Sequence, residues 1–207
     1  MTPLVTFGRW SEICVAVGVV PDQGDYRRIR SAWRGMGRHY HTLSHLEACL
    51  REFDAARELV LEPAEVELAL WFHDAIYKSW RRDNEPQSAA LAVRTLRAAR
   101  EDVVDRIRQM ILATAHRDAG FSGDTALILD IDLAILGAPP EIYSQFERAV
   151  RREYWWAPRA RYVAGRSKLL RSLLERPAIY QHDWFYAKYE KQARANVAAA
   201  LQQLEWK

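Results

Sequence analysis

Apolar residues recur at helical spacing along most of the chain, and Val, Ile and Thr never alternate with polar residues for long. That pattern predicts an almost wholly α fold. The periodic segments place helices near 4–18, 22–35, 42–59, 63–79, 86–100, 102–116, 124–136, 139–153, 158–175 and 182–205. Proline agrees with these boundaries. Pro21, Pro63, Pro86, Pro139, Pro158 and Pro177 each stand near the start of a periodic segment, where a missing N–H leaves no hydrogen bond unmade. No repeat, low-complexity tract or linker breaks the pattern. With 207 residues, 49% of them hydrophobic, the chain can bury one substantial core, so a single helical domain over 1–207 is expected.

Charged groups inside the apolar segments change this picture. In "ELALWFHDAIYKSW", residues 67–80, His73 and Asp74 sit in the middle of what reads as a buried helix, where such groups are costly unless something pairs with them. "RHYHTLSHLEACL" adds His41 and His45, four apart and therefore on one face if a helix begins near Thr42. "LILDIDLAILG" carries Asp130 and Asp132, and "MILATAHRD" ends a helix on His116. A divalent metal ion accounts for all of them, since its charge offsets carboxylate burial and its coordination satisfies neutral imidazoles. The mixed N/O donors suit Mn, Fe, Ni, Co or Zn better than an all-oxygen Mg or Ca cage. An adjacent His-Asp pair projects about 100° apart around a helix, so both reach one ion only at the helix edge.

The order of these residues resembles the H…HD…D signature of the HD-domain superfamily of metal-dependent phosphohydrolases. It is most similar to the bacterial group described as predicted metal-dependent HD-superfamily phosphohydrolases. The matching elements are Tyr40-His41 with His45, Phe72-His73-Asp74 with Tyr77, Asn84-Glu85 with Ser88-Ala89, Asp130-Ile131-Asp132-Leu133 with Ile135-Leu136-Gly137, and Arg152 two positions before Tyr154. Thr114-Ala115-His116 departs from the group's "TxxH" by one residue. The resemblance covers residues 38 to about 200 and implies an all-α, single-domain helical bundle of HD type. It implies His45, His73, Asp74 and Asp132 as metal ligands, with Asp130 orienting a histidine or water. A more distant likeness to the "YHNxxHA" element of cyclic-nucleotide phosphodiesterases makes His41 the candidate general acid. His116 is either a phosphate contact or second-metal ligand, or a structural residue at a helix end.

The implied activity is hydrolysis of a small phosphate ester, a nucleotide by analogy of fold, through a metal-activated water. The alternative is a metal-stabilised nucleotide-binding or regulatory module without turnover. Arg38, Arg152 and Arg166 are candidates for anion binding, with ion pairs to glutamates as the alternative. The second His-Asp dipeptide, His182-Asp183, reads as a helix start rather than a site. Trp71, Trp80, Trp155 and Trp156 read as core or pocket wall. Cys14 and Cys49, the only cysteines, form no CxxC and read as small buried apolar residues, which leaves sulfur out of the expected donor set. A net charge of +3, from 30 basic and 27 acidic residues, is too mild and too evenly spread for a nucleic-acid protein. Without a window of roughly 18 uninterrupted apolar residues or a cationic leader, a cytoplasmic protein with no membrane partner is expected.

Overall fold

The computed structural model describes residues 3–116 and 120–205, and every regular element among them is helical. The all-α expectation is met, and each of the ten predicted segments overlaps one α-helix, with α5, α6 and α7 starting one or two residues earlier than expected. The helices cluster into two compact units that divide inside one helix, between Ile131 and Asp132. The first unit holds α1 (Phe7–Ala16), α2 (Gln23–Ala32), α3 (Leu43–Ala55), α4 (Pro63–Phe72), α5 (Asn84–Thr95), α6 (Glu101–Ala113) and most of α7 (Gly123–Leu133). The second holds α8 (Pro140–Glu153), α9 (Arg159–Glu175) and α10 (Asp183–Glu205), preceded by a 3-10 turn at Ala134–Gly137. Among the described residues no helix is long and apolar enough to cross a membrane.

The centre of the first unit is α4, apolar on all sides and buried from Glu65 to Phe72, as a helix without a polar face must be. Pro63 opens it, and the backbone N–H groups of Leu61 and Glu62 just before it donate to the Asp124 carboxylate at 2.9 and 2.8 Å. Its two buried glutamates are each met by an arginine fork. Arg106 donates to Glu65 at 2.7 and 2.6 Å, and Arg9 donates to Glu67 at 2.7 and 3.1 Å while also holding Asp54. Glu67 further accepts from the Trp71 indole at 3.3 Å. Arg9→Met should therefore cost about 3 kcal/mol, because it strands a buried carboxylate. Urea unfolding measures this, and a loss within about 0.5 kcal/mol, the range of neutral surface changes, would refute it.

Sequence periodicity carries α4 on to residue 79, yet the helix stops at Phe72 with His73 as its C-cap. Distant side chains capture the backbone groups that would have continued it. Arg38 donates to the carbonyls of Asp74 and Ala75 at 2.8 and 2.9 Å. The Ser88 hydroxyl accepts from Ile76 N–H at 3.0 Å and donates to Ile76 C=O at 3.2 Å, and the Asn84 amide pairs with Lys78 N–H and C=O at 3.0 and 3.1 Å. The His73-Asp74 pair thus straddles a helix end instead of lying mid-helix. Trp71 is in the core as expected, whereas Trp80 and Trp155, read as core or pocket wall, are 57% and 72% exposed. Trp80 lies on the turn that the early end of α4 creates, and Trp155 on the turn after α8.

In the second unit, α10 packs against α9 and the turn at Ala134–Gly137. Tyr180 donates its hydroxyl to Leu133 C=O at 2.9 Å, and the buried Asn196 amide donates to the carbonyls of Leu136 and Ala138, both at 2.8 Å. Buried Glu190 accepts from the backbone N–H groups of Ile179 and Tyr180 and from Arg194, which satisfies the segment leading into α10.

Candidate metal centre

Thr42 is extended and precedes α3, so His45 falls in the first turn of that helix, buried, and His41 lies in the segment before it. The end of α4 delivers His73 to the same place. The Nε2 atoms of His45 and His73 are 3.3 Å apart. Asp74 Oδ2 lies 3.4 Å from His73 Nε2, 3.8 Å from His41 Nε2 and 3.9 Å from His45 Nε2. Three imidazole nitrogens from two segments therefore converge on one carboxylate oxygen. The last turn of α7 brings in Asp132, so that ligand atoms of His45, Cys49, His73 and Asp132 all lie within 4.8 Å of one another.

The tautomer of His73 follows from its surroundings. Its Nδ1 is 2.8 Å from the carbonyl of Leu70, which can only accept, so Nδ1 carries a proton, and in the neutral ring Nε2 carries its lone pair toward His45. A lone pair aimed at a second imidazole nitrogen at 3.3 Å needs a positive centre or a proton between them. Two nitrogens each about 2.1 Å from a common ion are separated by about 3 to 3.5 Å, so a divalent ion fits the spacing observed here. This buried His-His-Asp group, with Cys49 beside it, could hold a metal ion.

The walls of the group are aromatic. Trp33, fully buried, has its ring 5.4 Å from that of His73 and 6.1 Å from that of His45, and its indole N–H donates to Trp71 C=O at 3.0 Å. Tyr40 lies 4.6 Å from the His45 ring. Tyr77 stacks on His41 at 3.9 Å and 25°, which sets the plane of that imidazole.

Arg38 has a different task from anion binding. One guanidinium nitrogen donates to the carbonyls of His41 and Asp74, both at 2.8 Å, and the other to Ala75. Its charge lies over the rings of Trp33 and Tyr77 at 5.7 and 5.5 Å. It ties the segment before α3 to the turn after α4. Arg166, in the second unit, is held by Glu147 at 2.6 and 3.2 Å, the glutamate pairing that was its alternative, and Arg152 is exposed on α8.

α6 stops at Ala113, so His116 lies three residues beyond the helix that was expected to end on it; it is half-buried, in the left-handed region with φ +52°, and is not a member of the four-residue group. Asp130 is fully buried on α7 and also lies outside that group. Two residues apart on a helix, Asp130 and Asp132 face different sides, and it is Asp132 that joins the histidines. His182 accepts the first backbone bond of α10 and Asp183 occupies its first turn, as read from the sequence. His39 is exposed.

Sequence reading left Cys49 out of the group. Its signal was available, four residues after His45 on the same face of α3. Its Sγ lies 3.7 Å from His45 Nε2 and 3.8 Å from Nδ1. A thiolate sharing an ion with Nε2 would stand clearly closer to that nitrogen than to Nδ1, so in this rotamer Cys49 flanks the ring without lying on its lone-pair axis.

Ser88 and Asn84 hold the turn that aims Asp74 and Tyr77. Ser88→Ala leaves Ile76 N–H without its acceptor in a buried place and should cost about 1–3 kcal/mol in urea unfolding. Ser88→Thr, which keeps the hydroxyl, should lose less, and equal losses would refute the assignment to hydrogen bonding.

Comparison of the chain with protein-family models, with curated proteins and with solved structures returns no match.

Proposed function

We propose that this protein is a metal-dependent phosphohydrolase of HD type that acts on a small phosphate ester, with a nucleotide as the first candidate. The observation that carries the reading is the convergence of the Nε2 atoms of His41, His45 and His73 on Asp74 Oδ2 within 3.9 Å, with the His73 proton parked on Nδ1. His45, His73, Asp74 and Asp132 hold the ion, and its identity is sought among Mn, Fe, Ni, Co and Zn. When bound, a divalent ion supplies Lewis acidity, which makes a water more acidic and offsets charge developing on phosphoryl oxygens.

The chain's own residues do the rest. Leu70 C=O fixes the tautomer of His73, and Asp132 and Asp74 bring the negative charge that a cation needs. His41, held flat against Tyr77, presents Nε2 next to the cluster and delivers a proton from that atom to the leaving alkoxide. Asp130, fully buried, orients a neighbouring donor from the opposite side of α7.

A second reading, a metal-stabilised module that binds a nucleotide without turnover, draws on the arginines. Arg38 is spent on three backbone carbonyls and Arg166 on Glu147, so neither offers its fork to a phosphate. One experiment separates the readings: elemental analysis of purified protein and of Asp74→Ala, with a phosphoester panel assayed on both. Stoichiometric transition metal that falls in the variant, together with metal-dependent phosphate release, supports the hydrolase. Metal without turnover of any ester supports the binding module, and wild-type protein that takes up no divalent metal under any loading condition sinks both.

A further inference from the structure

The second unit contains a cavity of about 550 Å³ walled by α8, α9 and α10, a size typical of small-molecule sites between helices of a bundle. It exists because small side chains stand where large ones would close it. Ala199 and Ala200 on α10 and Ser144 on α8 all line it, and α10 packs closely along α9 while touching α8 sparsely. Tyr143, Tyr162 and Val163 supply an apolar lining.

The charge of the wall is one-sided. The one carboxylate among its described lining residues, Glu147, is already saturated, accepting from the Tyr143 hydroxyl at 2.7 Å and from the half-buried Arg166 fork at 2.6 and 3.2 Å. That pair contributes no net charge. Three further arginines line the same space: Arg148, Arg151 and Arg159. Arg151 is held by the carbonyls of Tyr154 and Ala157, with its guanidinium 4.6 Å from the centre of the Tyr162 ring. It thus holds a fixed cation over an aromatic ring in the cavity wall. Arg148 and Arg159 are exposed and have no acidic partner among the described residues.

We infer that this cavity is a ligand site, separate from the metal group, for a small organic anion that carries a phosphate, sulfonate or carboxylate on a planar apolar body. The anion meets the guanidinium groups of Arg148 and Arg159, which match such oxygens bidentately, while Arg151, whose fork is held by carbonyls, contributes its charge. The apolar body lies against Tyr162, Val163 and Ala199.

The probe is 8-anilinonaphthalene-1-sulfonate, which combines an anion with a flat apolar body, titrated by fluorescence beside its uncharged counterpart N-phenyl-1-naphthylamine. Wild-type protein should show one saturable site for the sulfonate and bind the neutral compound at least ~10-fold more weakly, since only the sulfonate gains charge-assisted hydrogen bonds. Ala199→Trp fills the space from an exposed helical position and should abolish binding, and the R148E/R159E pair should weaken the sulfonate at least ~10-fold while leaving the neutral compound unchanged. Thermal melts followed by circular dichroism verify that both variants are folded. Sulfonate binding that persists in folded Ala199→Trp, or neutral compound binding as tightly as the anion, would overturn the assignment.

Discussion

Arg38→Ala should be among the most damaging single changes in this protein, lowering stability by about 3 kcal/mol or more and weakening metal binding about 10- to 100-fold. Three carbonyls, those of His41, Asp74 and Ala75, lose a charged donor together, and two belong to residues whose side chains line the metal group. The two effects are measured separately, stability by urea unfolding of metal-free protein and affinity by calorimetric titration of Mn2+ or Zn2+ into the folded variant. Arg38→Lys should rescue little, because one ammonium cannot reproduce a planar fork over three acceptors. If Arg38→Ala unfolds at the wild-type urea midpoint, or binds the ion with unchanged affinity, Arg38 is not the tie between the two segments.

The second large effect is expected at Gly137. A Cβ built there would lie 2.6 Å from Tyr189 Cβ and 2.7 and 2.9 Å from atoms of its ring. The backbone of Gly137 is not left-handed, so close approach of α10 is what calls for glycine. Gly137→Ala must push α10 away from the turn it covers, at a cost of about 3 kcal/mol, the upper end for overpacking. Tyr189→Ala in the same chain should not restore stability, since Tyr189 Cβ is itself the nearest atom. Restoration by that second change would place the conflict in the ring alone and refute a constraint on helix approach.

These two residues also mark where sequence reading succeeds and where it stops. Helical periodicity found the α-helices of the described residues because most bury an apolar stripe, and α4 an apolar run, both properties of the local sequence. It overran the end of α4 because that end is imposed from Arg38, Asn84 and Ser88, the first of them 36 residues away from Asp74 in the chain. The burial cost of charged residues flagged the histidines and aspartates, and the structure brings His41, His45 and His73 to Asp74, and groups His45 and His73 with Cys49 and Asp132, a group that does not include Asp74. Spacing alone could not separate Asp132 from Asp130, which depends on the rotation of α7. Nor could it assign the arginines, since a guanidinium fits a carbonyl or a glutamate as readily as a phosphate. Cys49 was passed over because cysteine without a CxxC partner was weighed as an apolar residue, although its place one turn after His45 was visible.

The early end of α4 has an electrostatic consequence. The aligned peptide dipoles of a helix leave the equivalent of about half a negative charge at its C-terminus, and that end of α4 points into the histidine group and toward the Arg38 guanidinium. Residues 65–72 of α4 are all buried, so little water or salt reaches the helix to screen that field. The peptide backbone of the core helix therefore acts as a fixed anionic electrode, one that favours a cation at His73 before any carboxylate is counted and that survives at ionic strengths where surface charges are silenced.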